Sequence, residues 1–281
     1  MLPTVDFFGS QVSRLILGDN PFNGHSYIDD KTLGGEMVDY YTEDKIIDTL
    51  FQAQESGMNA WLPLADPYIM RVIRHYRSMG GTMNTIFQTC PWYGYENNMN
   101  QLMGCSPIAF YHQGTTTDYL WETGQVDELK RIIKLYHNIG LPVGIGTHVP
   151  EVIRQSEEED WGVDFYMACL HNARRNRFGE QSGFITGKSK QNLVFSAEDR
   201  PVMLETIRRT AKPVIAFKIF GGGQIFSGKN PQEIYETVRA VFKDVYTCIK
   251  PNDLAVMGVF QRDNDELGEN LKLAQEVFAE L

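Results

Sequence analysis

Short apolar segments alternate along the chain with longer amphipathic segments, a pattern typical of folds that alternate strands and helices. The apolar segments predict eight strands, at residues 15–17, 60–64, 85–89, 108–111, 143–145, 165–169, 214–219 and 254–257. Apolar residues at helical spacing predict helices at 42–56, 127–138, 199–210, 231–242 and 266–281. Eight strand–helix alternations predict an α/β protein, a single (β/α)8 TIM barrel domain over residues 1–281. A doubly wound sheet fits less well, because the loop after the first strand lacks the G-x-G-x-x-G phosphate motif.

The amino-acid composition excludes several classes of binding partner. The 281 residues include 36 acidic and 26 basic side chains, a net charge of −10, which disfavours binding to nucleic acid. No apolar run approaches the roughly 20 residues of a membrane span, and the N-terminus does not resemble a signal peptide. The four cysteines form no CxxC pair, so neither a disulfide framework nor a zinc ribbon is indicated. We expect a cytoplasmic protein that binds a small-molecule substrate, with no nucleic acid and no membrane.

Polar side chains follow several of the predicted strands, where barrels carry their function. Asp19 follows the first strand, with His25 in the same loop, and His112, His148 and His171 follow the fourth, fifth and sixth strands. Three imidazoles with Asp19 or His25 have the donor atoms that bind Zn²⁺ or Mn²⁺ and leave a position open for water. The sequence therefore predicts a possible divalent metal site, with histidines of purely structural role as the alternative.

A second candidate site follows the seventh strand. Lys218 comes directly after an apolar segment, and Gly221, Gly222 and Gly223 come next. Glycines let backbone N–H groups approach an anion closely, lysine supplies positive charge, and this loop is a recurrent phosphate site in barrels. A turn that needs positive φ is the alternative interpretation. A further anion-binding candidate is the basic set after His171: Arg174, Arg175 and Arg177.

Six segments in order resemble the aldo-keto reductase superfamily over nearly the whole chain. They are residues 12–18, 53–59, 110–112, 144–151 with 162–164, 215–229, and 257–258 with 266–270. The resemblance implies a (β/α)8 barrel with a site for NADP. It implies that Phe217 stacks on the nicotinamide and that Glu269 and Asn270 contact the adenine side. The phosphates would be held by Gly221, Gly222, Gly223, Lys218 and Arg262.

The catalytic residues implied by the resemblance are incomplete. That family uses a tyrosine, an aspartate, a lysine and a histidine, of which only the histidine is matched, by His112. Tyr68 would replace the tyrosine through a shifted loop, Cys90 stands at the lysine position, and Asp19 is a further catalytic candidate. Three interpretations stay open: an NAD(P)-dependent oxidoreductase acting on a small polar metabolite, a metal-dependent hydrolase, lyase or epimerase, and a non-catalytic ligand-binding barrel.

Overall fold

The computed structural model of the chain describes residues 2–28, 33–171, 195 and 197–281. An antiparallel hairpin of β1 (Thr4–Phe7) and β2 (Ser10–Ser13) precedes eight parallel strands that close into a barrel. These are β3 (Leu15–Gly18), β4 (Ala60–Leu62), β5 (Asn84–Gln88), β6 (Ala109–His112), β7 (Val143–Thr147), β8 (Phe165–Cys169), β9 (Val214–Phe217) and β10 (Leu254–Met257). Each barrel strand pairs with the next, and β10 pairs with β3. The predicted (β/α)8 barrel and its eight strands are therefore confirmed.

Ten helices of the described residues surround the strands. They are α1 (Leu33–Tyr40), α2 (Glu43–Glu55), α3 (Pro67–Ser78), α4 (Tyr95–Met103), α5 (Gly114–Glu122), α6 (Val126–His137), α7 (Pro150–Glu158), α8 (Asp199–Arg209), α9 (Pro231–Cys248) and α10 (Glu266–Glu280). The five predicted helices are all present. α9 extends six residues beyond its predicted end, because buried Val245 and Tyr246 continue its apolar face. No described helix has the length and apolar character needed to cross a membrane.

Alternation of side chains along the strands produces two separate cores. Residues of one parity pack outward against the helices, as Leu17, Phe110 and Ala168 do. Residues of the other parity fill the barrel. The inner core comprises Ile16, Ala60, Leu62, Ile86, Ala109, Tyr111, Phe165, Met167, Ile215, Leu254 and Val256. Parity therefore decides which residues of each strand reach a site at the end of the barrel.

The N-terminal hairpin closes one end of the barrel. Phe7 and Val12 of the hairpin belong to the inner core, and the Phe7 ring meets the Phe165 ring edge-to-face at 5.2 Å. The sequence analysis did not predict this hairpin. Because it covers the amino ends of the strands, the carboxyl ends form the open mouth.

Gly144→Ala tests how tightly the barrel interior is packed. A Cβ at Gly144 would lie 2.6 Å from the ring of Phe165, which is fully buried. We expect the free energy of unfolding, measured by urea denaturation, to fall by about 1–3 kcal/mol. The matched control is Gly35→Ala in α1, where a Cβ would meet nothing within 4 Å. That variant should be neutral or gain up to about 1 kcal/mol, and equal stabilities of the two variants would contradict the packing described.

Candidate active site

A cavity of about 500 Å³ opens at the carboxyl ends of the strands. Its floor takes one inward-facing residue from near the end of each strand: Gly18, Leu62, Gln88, Tyr111, Gly146, Met167, Phe217 and Val256. Of these side chains, only Gln88 and Tyr111 carry hydrogen-bonding groups. The floor is therefore apolar apart from one polar pair, a lining typical of small-molecule sites.

The polar pair on the floor is neutral. The hydroxyl of Tyr111 donates to Oε1 of Gln88 at 2.9 Å. A Cβ at Gly146 would lie 3.1 Å from the Tyr111 ring, so the glycine leaves room for that ring. Burial raises the pKa of Tyr111 well above its ordinary value. The phenol therefore stays protonated and serves as a hydrogen-bonding group.

His112 points away from the cavity, because Tyr111 takes the inward position at the end of β6. Its side chain is fully buried, with Nδ1 2.8 Å from Oγ1 of Thr117 and with the rings of Tyr95 and Tyr136 beside it. Burial lowers the pKa of His112 to about 3, so the imidazole is neutral. The histidine implied by the resemblance is thus behind the barrel wall and does not line the cavity.

Two further catalytic candidates also lie outside the cavity wall. Tyr68 is in the first turn of α3 and is 44% exposed. Cys90 is fully buried, and its backbone N–H donates to Oδ1 of Asn98. Burial raises the pKa of the Cys90 thiol to about 12, so a thiolate does not form near neutral pH. The inward position of β5 is held by Gln88, two residues earlier.

Asp19 lies in the cavity wall directly after β3. It is 6% exposed, and its carboxyl accepts hydrogen bonds from the backbone N–H of Leu64 and from Nδ2 of Asn23. Burial outweighs these donors and raises the pKa of Asp19 to about 7. Both protonation states are therefore populated near neutral pH, as proton transfer requires. His25 lines the same wall.

A buried acid–histidine pair stands beside the floor. His148 follows β7 and lines the cavity, whereas Asp118 comes from α5 and is 0% exposed. The Asp118 carboxyl accepts hydrogen bonds from the Thr147 hydroxyl and the His148 backbone N–H. Nδ1 of His148 lies 2.8 Å from Oδ2 of Asp118. Because a carboxylate only accepts, Nδ1 carries the proton and Asp118 fixes the orientation of the ring. Asp118 was not predicted from the sequence, because no motif or spacing marks it on its helix.

Phe217 and Lys218 occupy the end of β9 and the residue after it. Phe217 lines the cavity, and its ring meets the His148 ring edge-to-face at 5.3 Å. Lys218 also lines the cavity, but its Nζ is buried 3.1 Å from the centroid of the Tyr27 ring and 4.7 Å from that of Phe195. The lysine amine is thus enclosed by aromatic rings.

The glycine segment is a tight turn in which Gly221, Gly222 and Gly223 all have positive φ, as the alternative interpretation of this segment expected. Gly222 and Gly223 line the cavity. A Cβ at Gly222 would lie 2.8 Å from Cβ of Tyr27, so the glycine permits close approach of the Tyr27 segment. The Gln224 side chain joins the two segments by donating to the Tyr27 carbonyl at 2.8 Å. The phosphate-binding role of these glycines stays a prediction.

The residues expected on the adenine side lie apart from the cavity. Glu269 and Asn270 are in the first turns of α10, and Arg262 is exposed in the preceding loop. The Arg262 guanidinium pairs with Glu36 at 2.7 Å and with Asp263 at 2.9 Å. Its charge is therefore balanced by two carboxylates. Another predicted set of anion ligands is outside the described residues: Arg174, Arg175 and Arg177.

The histidines predicted to bind a metal are not gathered at one point. Within the described ranges, no group of three His, Cys, Asp or Glu side chains is placed to hold one ion. His112 faces the helices, His148 contacts Asp118 through Nδ1, and His171 uses Nδ1 to contact the Lys218 carbonyl at 3.1 Å. Strand parity and these contacts separate the imidazoles, so the predicted Zn²⁺ or Mn²⁺ site is not supported.

Solved structures with the same architecture include several aldo-keto reductases. One is aldo-keto reductase AKR11C1 from Bacillus halodurans in its holo form, with a TM-score of 0.60, 10% identity, and coverage of 99% of this chain and 96% of the other. Another is an aldo-keto reductase from Klebsiella pneumoniae in complex with NADPH, with a TM-score of 0.55 and 11% identity. The match covers 100% of this chain and 94% of the other.

The sequence itself matches no protein-family model and no curated protein. At identities near 10%, the structural likeness concerns the path of the backbone. The chain therefore shares the (β/α)8 barrel fold of the aldo-keto reductases, as a divergent example of it.

Proposed function

We propose that the chain is an NAD(P)-dependent oxidoreductase that acts on a small polar metabolite in the barrel-mouth cavity. The observation that carries this proposal is the contact between Phe217 and His148 at the cavity floor, because it joins an aromatic face to a proton-transfer group. Structural neighbours bound to NADPH, such as the Klebsiella protein, support the choice of cofactor. Four free cysteines support a reducing compartment such as the cytoplasm.

The residues at the mouth fit the nicotinamide end of a dinucleotide better than the adenine end. Phe217 is partly exposed in the cavity and has a ring face on which a nicotinamide would stack. Gly222 and Gly223 bring backbone close to the same space. Arg262 would meet a 2′-phosphate only in competition with Glu36 and Asp263. When bound, the cofactor would supply the hydride.

The chain would supply the proton. Asp118 holds Nδ1 of His148 at 2.8 Å and fixes the orientation of the ring, so His148 is suited to transfer a proton to a carbonyl oxygen. Tyr111 is unsuited to that step because burial raises its pKa, and its hydroxyl proton is donated to Gln88, so the Gln88 amide N–H is the donor of this pair that would orient the same oxygen. Asp19, whose pKa is about 7, provides a second group that exchanges protons in the cavity.

Cofactor titration tests the proposal. We expect NADPH and NADH to quench tryptophan fluorescence saturably, since Trp92 lines the cavity. Phe217→Ala should weaken both affinities roughly fivefold, the equivalent of about 1 kcal/mol of lost stacking. Tyr235→Ala removes an exposed aromatic side chain on α9 and should leave both affinities unchanged. Absence of a saturable signal with either cofactor would refute the proposal.

Freeing Arg262 tests its predicted contact with phosphate. The double variant Glu36→Gln with Asp263→Asn removes both carboxylates that pair with Arg262. We expect NADPH to bind up to about fivefold more tightly at low salt, the scale of an exposed ion pair. NADH lacks the 2′-phosphate and is the matched control, so its affinity should not change. Equal changes for both cofactors would place the 2′-phosphate away from Arg262.

A further inference from the structure

The amine of Lys218 is buried at the mouth of the cavity. Its Nζ has no partner among the described residues, although the rest of the side chain is partly exposed. The rings of Tyr27 and Phe195 are close to it, at 3.1 Å and 4.7 Å from Nζ to the ring centroids. A buried lysine usually has a carboxylate beside it. None pairs with Lys218 in the described part of the chain.

The backbone at Lys218 is strained. Its φ of +53° lies in the left-handed region, a conformation that is unfavourable for a non-glycine residue. Four described non-glycine residues have positive φ, and Lys218 is the one among them that lines the cavity. It is also the one lysine or arginine among the described lining residues. Strain and burial at one functional group are typical of a reactive site.

We propose that Nζ of Lys218, on turning from the Tyr27 ring into the cavity that the residue lines, forms an imine with the carbonyl group of a small ketone or aldehyde bound there. The amine attacks the carbonyl carbon, a C–N bond forms, and the oxygen becomes a hydroxyl. That hydroxyl leaves as water, with one proton from the amine and one from an acid in the cavity. The product is a protonated C=N bond to Lys218. No electron donor or acceptor is consumed.

The surroundings of Lys218 favour its neutral amine, which is the reactive form, over the ammonium ion. Burial lowers its pKa to about 7, and the two described ionisable groups beside it, Cys169 and His171, bring no counter-charge. Cys169 is a neutral thiol, because burial raises its pKa to about 12, and His171 is neutral, because burial lowers its pKa to about 4. Tyr27 and Phe195 favour the ammonium form through cation–π attraction. Amine and ammonium therefore coexist near neutral pH, in contrast to an exposed lysine.

An imine at this position would give the cavity an activity beyond hydride transfer. A protonated imine acidifies the adjacent C–H bond, so a nearby base removes that proton and an enamine forms. Asp19 and His148 line the same cavity and are the candidate bases. The activity is exchange of the α-proton of a ketone or aldehyde, and it needs no nicotinamide cofactor.

Reductive trapping tests the proposal. The full-length protein is incubated with pyruvate or dihydroxyacetone and sodium cyanoborohydride, without NAD(P)H, and the adduct is located by peptide mass spectrometry. We expect one reduced adduct per chain, on Lys218, and none in Lys218→Met. Lys212→Met is the matched control: Lys212 precedes the same strand, β9, and pairs with Glu157. It should trap like the wild type.

Each outcome of the trapping experiment either supports the imine proposal or overturns it. An adduct confined to Lys218 in the wild-type protein supports the proposal, whether or not Lys218→Met folds. Labelling spread evenly over exposed lysines overturns it, as does the absence of an adduct on Lys218 with both ketones. Because the experiment contains no cofactor, its failure is distinct from a failure of NAD(P)H to bind.

Trapping should depend on pH in a way that identifies the group. The amine reacts and the ammonium does not, and the pKa of Lys218 is lowered to about 7. The trapping rate at Lys218, corrected for hydride stability, should therefore rise between about pH 6 and about pH 8 and then level off. Exposed lysines titrate near pH 10, so any labelling that reaches them at higher pH should still be rising there. A rate at Lys218 that rises in parallel with theirs would contradict the assignment.

Discussion

In a closed ring of parallel strands, moving one residue along any strand exchanges its inner and outer faces. The interior of the β3–β10 barrel can be filled only by inward-facing residues. Beneath the cavity floor it is filled by large side chains such as Phe165 and Ile215. The last inward layer, which includes Tyr111, Met167 and Phe217, stands near the carboxyl ends of the strands and forms the floor of the cavity. The cavity therefore exists because the packing of one strand parity stops short of the mouth.

Three ionisable groups at the mouth tolerate burial by different means. Backbone and amide donors hold the Asp19 carboxyl, Asp118 holds the His148 ring, and two aromatic rings enclose the Lys218 amine. Burial raises the pKa of the carboxyl and lowers that of the amine, and both reach about 7. Proton exchange between such groups and a bound molecule is nearly balanced in free energy. Desolvation thus sets the pKa values of Asp19 and Lys218, whereas His148 is held by its buried contact with Asp118.

Much of the fold, but less of the site, is predictable from the sequence. Apolar segments mark all eight strands because each strand is buried on both faces. Apolar and polar residues therefore do not alternate along them, so the sequence does not show which residues face the barrel interior. His112 was consequently expected in the site, whereas Tyr111 faces inward. Asp118 could not be predicted because its partner is 30 residues away on another element. The β1–β2 hairpin was missed because its strands have four residues each and mixed polarity.

The hairpin at the amino ends of the strands has a consequence for the order of events. Phe7 and Val12 fill that end, so a molecule held on the floor by Tyr111 has to pass through the mouth in both directions. Where one bound molecule lies beneath another in this cavity, the deeper one therefore has to arrive first and depart last. Depth in the barrel, and not relative affinity, sets the kinetic order.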